Sequence, residues 1–306
     1  MVSNSQYIKI VNSGNKDVLE KPVNVNIIYF STLQEIYIQN VFRNFSVKYC
    51  VEGTMRYQIG SKKIEVPKGH FFFANKQPNC FGFSYQNDTI KSLCIDINPT
   101  MANEAFTLLK KGQPDFDNLL CGEFMQANFL ENIYYAKHYA AGYTIQKLVH
   151  YLVNDPEEIK ELNEEWFFGL TEHVILHETS IKQSLNNLRK VKLSTREETL
   201  KRLLKGREYA NDTSLTNPSI KEIARHCMMS EFHFFRSFRN AFGQTPYNYL
   251  LERRLNHAKT LLAGKNKPLT EIASLCGFAD LFTFSKAFKR KFGTAPSFYQ
   301  HGLPEL

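Results

Sequence analysis

The spacing of apolar residues changes character once along this chain, near residue 118. Before that point it is strand-like. Phe45, Val47, Tyr49 and Val51 alternate with other residues, the period of a half-buried strand. Residues 23–30 are β-branched and aromatic, and residues 55–59, 63–66, 70–74 and 90–97 read as further strands. Glu52-Gly53-Thr54, Gly60-Ser61 and Pro67-Lys68-Gly69 supply turns between them. Several short strands at this spacing predict a sandwich or barrel. Over residues 118–187 the apolar spacing becomes three and four, most clearly in 134–153 and 163–188, and predicts helices. Phe167, Leu170, Val174 and Leu188 form one apolar face of the second stretch.

The last third of the chain carries one helical pattern twice. The first copy reads Ile223-Ala224-x-x-Cys227, then Ser230, Phe234, Phe238-Arg239 and Phe242-Gly243-x-Thr245-Pro246. The second reads Ile272-Ala273-x-x-Cys276-Gly277, then Asp280, Phe284, Phe288-Lys289 and Phe292-Gly293-x-Ala295-Pro296. The offset is 49 residues from Ile223 to Ile272 and 50 from Phe238 to Phe288, so the second copy holds one extra residue in its break. Each copy predicts a short helix, a tight turn and a second helix. Ser219 with Glu222 predicts a capping box for the first helix. Ser230 and Asp280 are caps for the second helices, whose phenylalanines recur every four residues as a buried stripe. Gly243 ends one such helix and Pro246 keeps it from resuming, while Gly277 permits a turn that a Cβ would obstruct. Residues 247–263 read as one connecting helix with Leu250, Leu251, Leu255, Ala258 and Leu262 on its packing side. Ser194 with Glu197, or Thr195 with Glu198, predicts the cap of a supporting helix that ends near Ala210.

Charge sharpens this division. The chain has 38 Lys+Arg and 30 Asp+Glu; from Arg196 onward the counts are 18 and 10, leaving 20 and 20 before it. The whole excess of +8 therefore sits on the helical repeat, the footprint of a polyanion partner. The six cysteines are scattered, with no zinc-type spacing, which fits reduced thiols in a cytoplasmic protein. Neither a secretory leader nor a membrane-spanning apolar run is expected.

The doubled motif, above all Gly277-Phe278-Ala279-Asp280 through Phe284-Ser285-Lys286-Ala287-Phe288-Lys289-Arg290-Lys291-Phe292-Gly293-Thr294-Ala295-Pro296, resembles the DNA-binding domain of the AraC/XylS family of bacterial transcription regulators. The resemblance implies an α+β chain: an N-terminal cupin-like β-barrel with following helices, then an all-α domain of two helix-turn-helix units joined by a linker helix. The expected division is 1–188 for sensing and dimerisation, 189–195 as linker and 196–306 for DNA. By the helix faces and the family motif, Phe232, His233, Phe235 and Arg236 are base-facing on the first recognition helix. Leu281, Phe282, Ser285 and Lys286 match them on the second. Arg239, Thr283, Lys289 and Arg290 suit phosphates. The implied partners are double-stranded DNA, a small-molecule effector, RNA polymerase if the protein activates, and a second copy in a homodimer. The Phe167 face would suit a homodimer seam, but folding back onto the strands satisfies the same pattern.

Residues 47–78 resemble the cupin-like sensor domain of such regulators. Tyr49, Tyr57, Phe72, Gln77 and Cys80 are candidates to line an effector pocket, and equally fit as core. The histidine and carboxylate ligands of metal-dependent cupins are missing around residues 53–65, and His70 alone cannot build a site. No metal, cofactor or catalytic residue is expected. His173 and His177 share a helix face at i, i+4, without HExxH or a third ligand. The competing reading is a cupin-type enzyme with an accessory nucleic-acid module, which stoichiometric transition metal in the purified protein would favour.

Overall fold

The structure, a computed structural model, describes residues 6–15, 24–34, 37–42, 45–74, 80–84, 88–111, 132–154, 162–188 and 192–301; Gln77 and residues 189–191 of the expected linker lie outside them. The chain divides into two compact units, Met1–Gln183 and Ser184–Leu306. The division falls a little before residue 188, inside a helix. No helix among the described residues is long and apolar enough to cross a membrane.

The N-terminal unit contains β1 (Ile8–Asn12), β2 (Ile27–Gln34), β3 (Tyr37–Gln39), β4 (Ser46–Glu52), β5 (Thr54–Ile59), β6 (Lys62–Pro67), β7 (His70–Ala74), β8 (Cys80–Phe83), β9 (Thr89–Asp96) and β10 (Tyr134–Tyr135). Its helices are α1 (Pro99–Lys111), α2 (Ala140–Asn154) and α3 (Glu164–Asn187), the last running into the second unit. The strands form two sheets, ordered β1-β2-β9-β4-β7-β10 and β3-β8-β5-β6. The sandwich or barrel expected from the sequence takes the form of these two sheets. A bulge between Cys50 and Glu52 bends β4, and strand β5 then starts in the other sheet.

Strand β4 is buried on both faces, not one. Its pleat sends Cys50 into a core between the sheets with Phe42, Met55, Val66, Phe72, Ala74, Cys80 and Ile90. On the other face of the neighbouring strand β7, Phe71 and Phe73 meet Tyr134, and Phe73 meets His177 of α3. Helices cover the face that alternation would have given to water. Phe167, Leu170 and Val174 of α3 are fully buried within the chain itself.

Two helix starts differ from expectation. The helix anticipated from residue 134 begins at Ala140, because Tyr134 and Tyr135 pair with Phe71 and His70 as a strand and Ala136 N donates to Gly69 O at 3.0 Å. The supporting helix, α4 (Leu193–Thr213), begins ahead of both proposed capping boxes. Its cap is Lys192, which makes no side-chain capping bond, and Arg196 N already donates to Lys192 O at 3.0 Å.

The second unit continues with α5 (Ile220–His226), α6 (Glu231–Phe242), α7 (Pro246–Ala263), α8 (Leu269–Leu275), α9 (Leu281–Phe292) and α10 (Pro296–His301). The pairs α5/α6 and α8/α9 are the two copies, and α7 connects them.

Candidate nucleic-acid interface

Local signals in the sequence build each helix-turn-helix. Ser219 and Glu222 form the reciprocal box: Glu222 N donates to Ser219 Oγ at 3.2 Å and Ser219 N donates to Glu222 Oε2 at 2.6 Å. Ser230 Oγ accepts from His233 N at 3.3 Å, and Asp280 Oδ1 accepts from Thr283 N at 2.6 Å. Gly243 and Gly293 close α6 and α9 in the left-handed conformation, with φ of 72° and 78°. The turns between the paired helices also need positive φ, found at Met228 (55°) and Gly277 (74°). At Gly277 a Cβ would stand 2.9 Å from Leu215 O, whereas at Gly243 it would meet nothing within 4 Å. Gly277→Ala is therefore expected to cost more than the roughly 1–2 kcal/mol of a left-handed side chain, and Gly243→Ala about that much. Equal losses in chemical unfolding would rule out the backbone clash.

The packing repeats as the sequence does. Phe238 lies between Phe234 and Phe242 at ring distances of 5.4 and 4.7 Å and reaches Tyr249 at 5.6 Å. Phe288 lies between Phe284 and Phe292 at 5.6 and 4.5 Å and reaches Tyr299 at 5.7 Å. With these rings inward, the opposite faces are turned to solvent. Phe232 and Phe282, 50 residues apart, are each 76% exposed. His233, Arg236 and Arg239 on α6 and Lys286, Lys289 and Arg290 on α9 are exposed as well. Ser285 is half-buried and Leu281 sits at the edge of exposure. Phe235 is half-buried too, its ring 6.2 Å from that of Tyr247. Thr283 is exposed, but its hydroxyl already donates to Asp280 Oδ2 at 3.0 Å.

Helix α7 belongs to both cores. Tyr249 and Leu250 are buried toward its start, while Leu255, Ala258 and Leu262 share a cluster with Ile272, Ala273, Cys276, Phe284 and Phe288. Side chains that the sequence did not mark fasten it. Arg254 Nε donates to Ser214 O at 2.7 Å and its Nη2 to Asn217 Oδ1 at 2.6 Å. Glu252 pairs with Lys291 of α9 and accepts from Gln244 Nε2 at 3.5 Å, so one carboxylate touches both copies. Burial pushes the Cys227 and Cys276 thiols up to about 11, which suits inert core residues.

Three carboxylates in this unit are held below their ordinary values by the bonds they accept. Lys291 does this to Glu252, Ser219 to Glu222 and Thr283 to Asp280. A depressed carboxylate pKa stabilises the fold above the unfolded value and loses that contribution as pH falls through the folded one. The melting midpoint is thus expected to fall with acid below the ordinary glutamate value of 4.5, less steeply in Glu252→Gln. A midpoint flat through that range would contradict the assignment.

Residues 223–302 match the family model described as "Helix-turn-helix domain". The regulatory protein SoxS of Escherichia coli (strain K12) is 34% identical over 85 residues, covering 28% of this chain and 79% of SoxS. The chain belongs to the AraC/XylS family. The probable transcriptional regulator LumQ of Photobacterium leiognathi is 39% identical over 82 residues, 27% of this chain and 33% of LumQ, so that match spans about a third of the relative. Among solved structures, the DNA-binding domain of AdpA, in complex with a target DNA, is 26% identical and covers 32% of this chain and 89% of that one, with a TM-score of 0.31. The matched segment of this AraC/XylS member lies wholly in its C-terminal unit.

In the N-terminal unit a cavity of about 90 Å³ lies between the sheets. Of the residues proposed from sequence, Tyr57 lines it. Phe72 and Cys80 pack in the adjoining core, with the Phe72 ring 5.4 Å from that of Tyr57. Tyr49 takes the opposite side of the pleat, beside Gln146 of α2, and burial raises its pKa. The lining that sequence reasoning missed includes Tyr29, Ser31, Lys48, Arg56, Ser92 and Cys94. The histidine pair goes to separate packing contacts. His173 Nδ1 lies 3.2 Å from Thr144 Oγ1, and His177 stacks edge-on to Tyr134 and Tyr139 at 4.4 and 5.0 Å. Among the described residues no three His, Cys, Asp or Glu side chains are grouped to hold a metal ion.

Proposed function

We propose that this protein is a sequence-specific transcription regulator that places one recognition helix in each of two successive major grooves of double-stranded DNA. The observation that carries the reading is the doubling: Phe232 and Phe282 are equally exposed at the same turn of α6 and α9, each with an exposed cation four residues on, Arg236 or Lys286. An exposed phenylalanine can pack on a thymine methyl, and Arg236 can bind guanine through two hydrogen bonds. His233, Phe235, Leu281 and Ser285 complete the base-facing set. Arg239, Lys289 and Arg290 serve the phosphates, with Thr283 beside its cap. The 18 residues of α7 make a rod of about 27 Å, commensurate with the roughly 34 Å between successive grooves. Residues 196–306 form the DNA-binding part, and residues 1–188 the sensing part joined through 189–195. A small molecule held between the N-terminal sheets would bias the DNA-bound state. RNA polymerase is the further partner if the outcome is activation. A homodimer would use a surface other than the buried Phe167 face. The setting is the bacterial cytoplasm.

Selection of genomic fragments by the full chain, followed by footprinting, tests the reading. Two protected patches on one face, about one helical turn apart, with affinity falling steeply in salt, are expected. One patch, or binding indifferent to salt, rejects it. Replacing thymine by deoxyuridine within the patches should weaken binding if the phenylalanines read methyl groups.

A further inference from the structure

The register of β4 against β9 sets Lys48 directly across from Cys94, and both side chains line the cavity between the sheets. Lys48 is only 3% exposed. Its Nζ lies 2.6 Å from Cys94 Sγ and 3.3 Å from Val41 O. On its other side Cys94 Sγ is 3.2 Å from Oδ1 of Asp96, a carboxylate 1% exposed. An amine, a thiol and a proton acceptor thus converge at one point. Among the described cysteines, Cys50, Cys80, Cys227 and Cys276 are buried, and Cys94 alone retains partial exposure. The cavity beside it has room for several water-sized molecules.

We propose that Lys48 and Cys94 are a modification site: a peroxide-triggered covalent link between the two central strands of the larger sheet. The oxidant is hydrogen peroxide. In the first step the Cys94 sulfur takes one peroxide oxygen, giving a sulfenic acid and one water; sulfur loses two electrons and peroxide gains them. In the second step one ammonium proton passes to Asp96, and the Lys48 Nζ lone pair so freed attacks that sulfur. The N–S bond forms and the S–O bond breaks. The departing hydroxide takes a second nitrogen proton and leaves as water, so one N–H remains. The product is a sulfenamide, and no further oxidant is consumed. The link removes the lysine charge from the cavity wall, and a thiol reductant restores both side chains. The site is independent of how the C-terminal unit meets DNA.

The test is peptide mapping of the full chain after mild peroxide treatment without reduction. A cross-linked peptide pair containing Lys48 and Cys94, lighter than the sum of its parts by two hydrogens and separated by dithiothreitol, is the expected result. In Lys48→Arg, a sulfenic-acid trap such as dimedone should label Cys94 several-fold more than in the wild-type chain. Recovery of wild-type Cys94 as free thiol or sulfinic acid, with no Lys48-linked peptide, overturns the proposal whatever the variant does. Equal trapping in both chains, with circular dichroism showing both folded, overturns it as well.

Discussion

Phe288→Ala is expected to destabilise the C-terminal unit by about 3–5 kcal/mol, the usual loss for truncating a buried phenylalanine. The side chain is fully buried and meets the rings of Phe284, Phe292 and Tyr299, while α7 brings Leu255, Ala258 and Leu262 into the same cluster. No neighbour can fill the space without leaving its own place in a doubly shared helix. Phe282→Ala, on the same helix, removes the same atoms from a position 76% exposed and should shift stability by no more than about 0.5 kcal/mol. Denaturant midpoints of the two variants decide the matter. Similar midpoints would mean that the stripe is not the core of the second copy. DNA affinity should divide differently. Phe282→Ala weakens binding in a folded chain, and Phe288→Ala weakens it by unfolding the reader.

Arg236→Ala is expected to cost about 1–3 kcal/mol on the selected site and to relax the preference at one base. Arg236 is exposed on the face of α6 opposite Phe234 and Phe238, so its loss leaves the core intact. Arg239→Ala is the control. If Arg239 binds phosphate, its loss should weaken specific and random DNA alike and reduce the salt slope by about one. Binding measured on the selected site and on random duplex at two salt concentrations separates the roles. A uniform loss in Arg236→Ala would move that residue to the phosphate set.

The structure also limits how the two readers could be rotated against each other. A helical insertion after Leu255 looks like a simple turn of one unit about a rod. Yet Ala258 and Leu262, beyond that point, pack against the second copy, and Arg254, just before it, is bonded to Ser214 and Asn217. Extra residues there would pull Leu255 from that cluster and Glu252 from Lys291, so lost binding would report unfolding as well as phase.

The helix-turn-helix copies were legible because their signals are local. Ser219, Ser230 and Asp280 cap within three residues, Gly243 and Gly293 take a backbone conformation other residues avoid, and phenylalanine every four residues marks one face. Met228 escaped notice in the first turn because a methionine at positive φ leaves no compositional mark. Lys192 escaped as a helix cap because Ser194 and Thr195 offered better side chains one turn too late.

In the N-terminal unit the sequence determined that strands would form, roughly where β2, β4, β5, β6, β7 and β9 lie, and that they would stack in sheets; the short β1, β3, β8 and β10 were not marked. Alternation states only that neighbouring residues face opposite ways. Which way is inward depends on what covers each face, and those covering groups lie far along the chain. Helices α2 and α3 close over Tyr49, Phe71 and Phe73, so the cavity falls to the other parity, to Lys48 rather than Tyr49. A lysine in a strand reads as solvent-facing until a second sheet is packed over it. The reading head was written in short-range chemistry, whereas the chamber and its amine–thiol pair came into being only when strands distant in sequence were laid side by side.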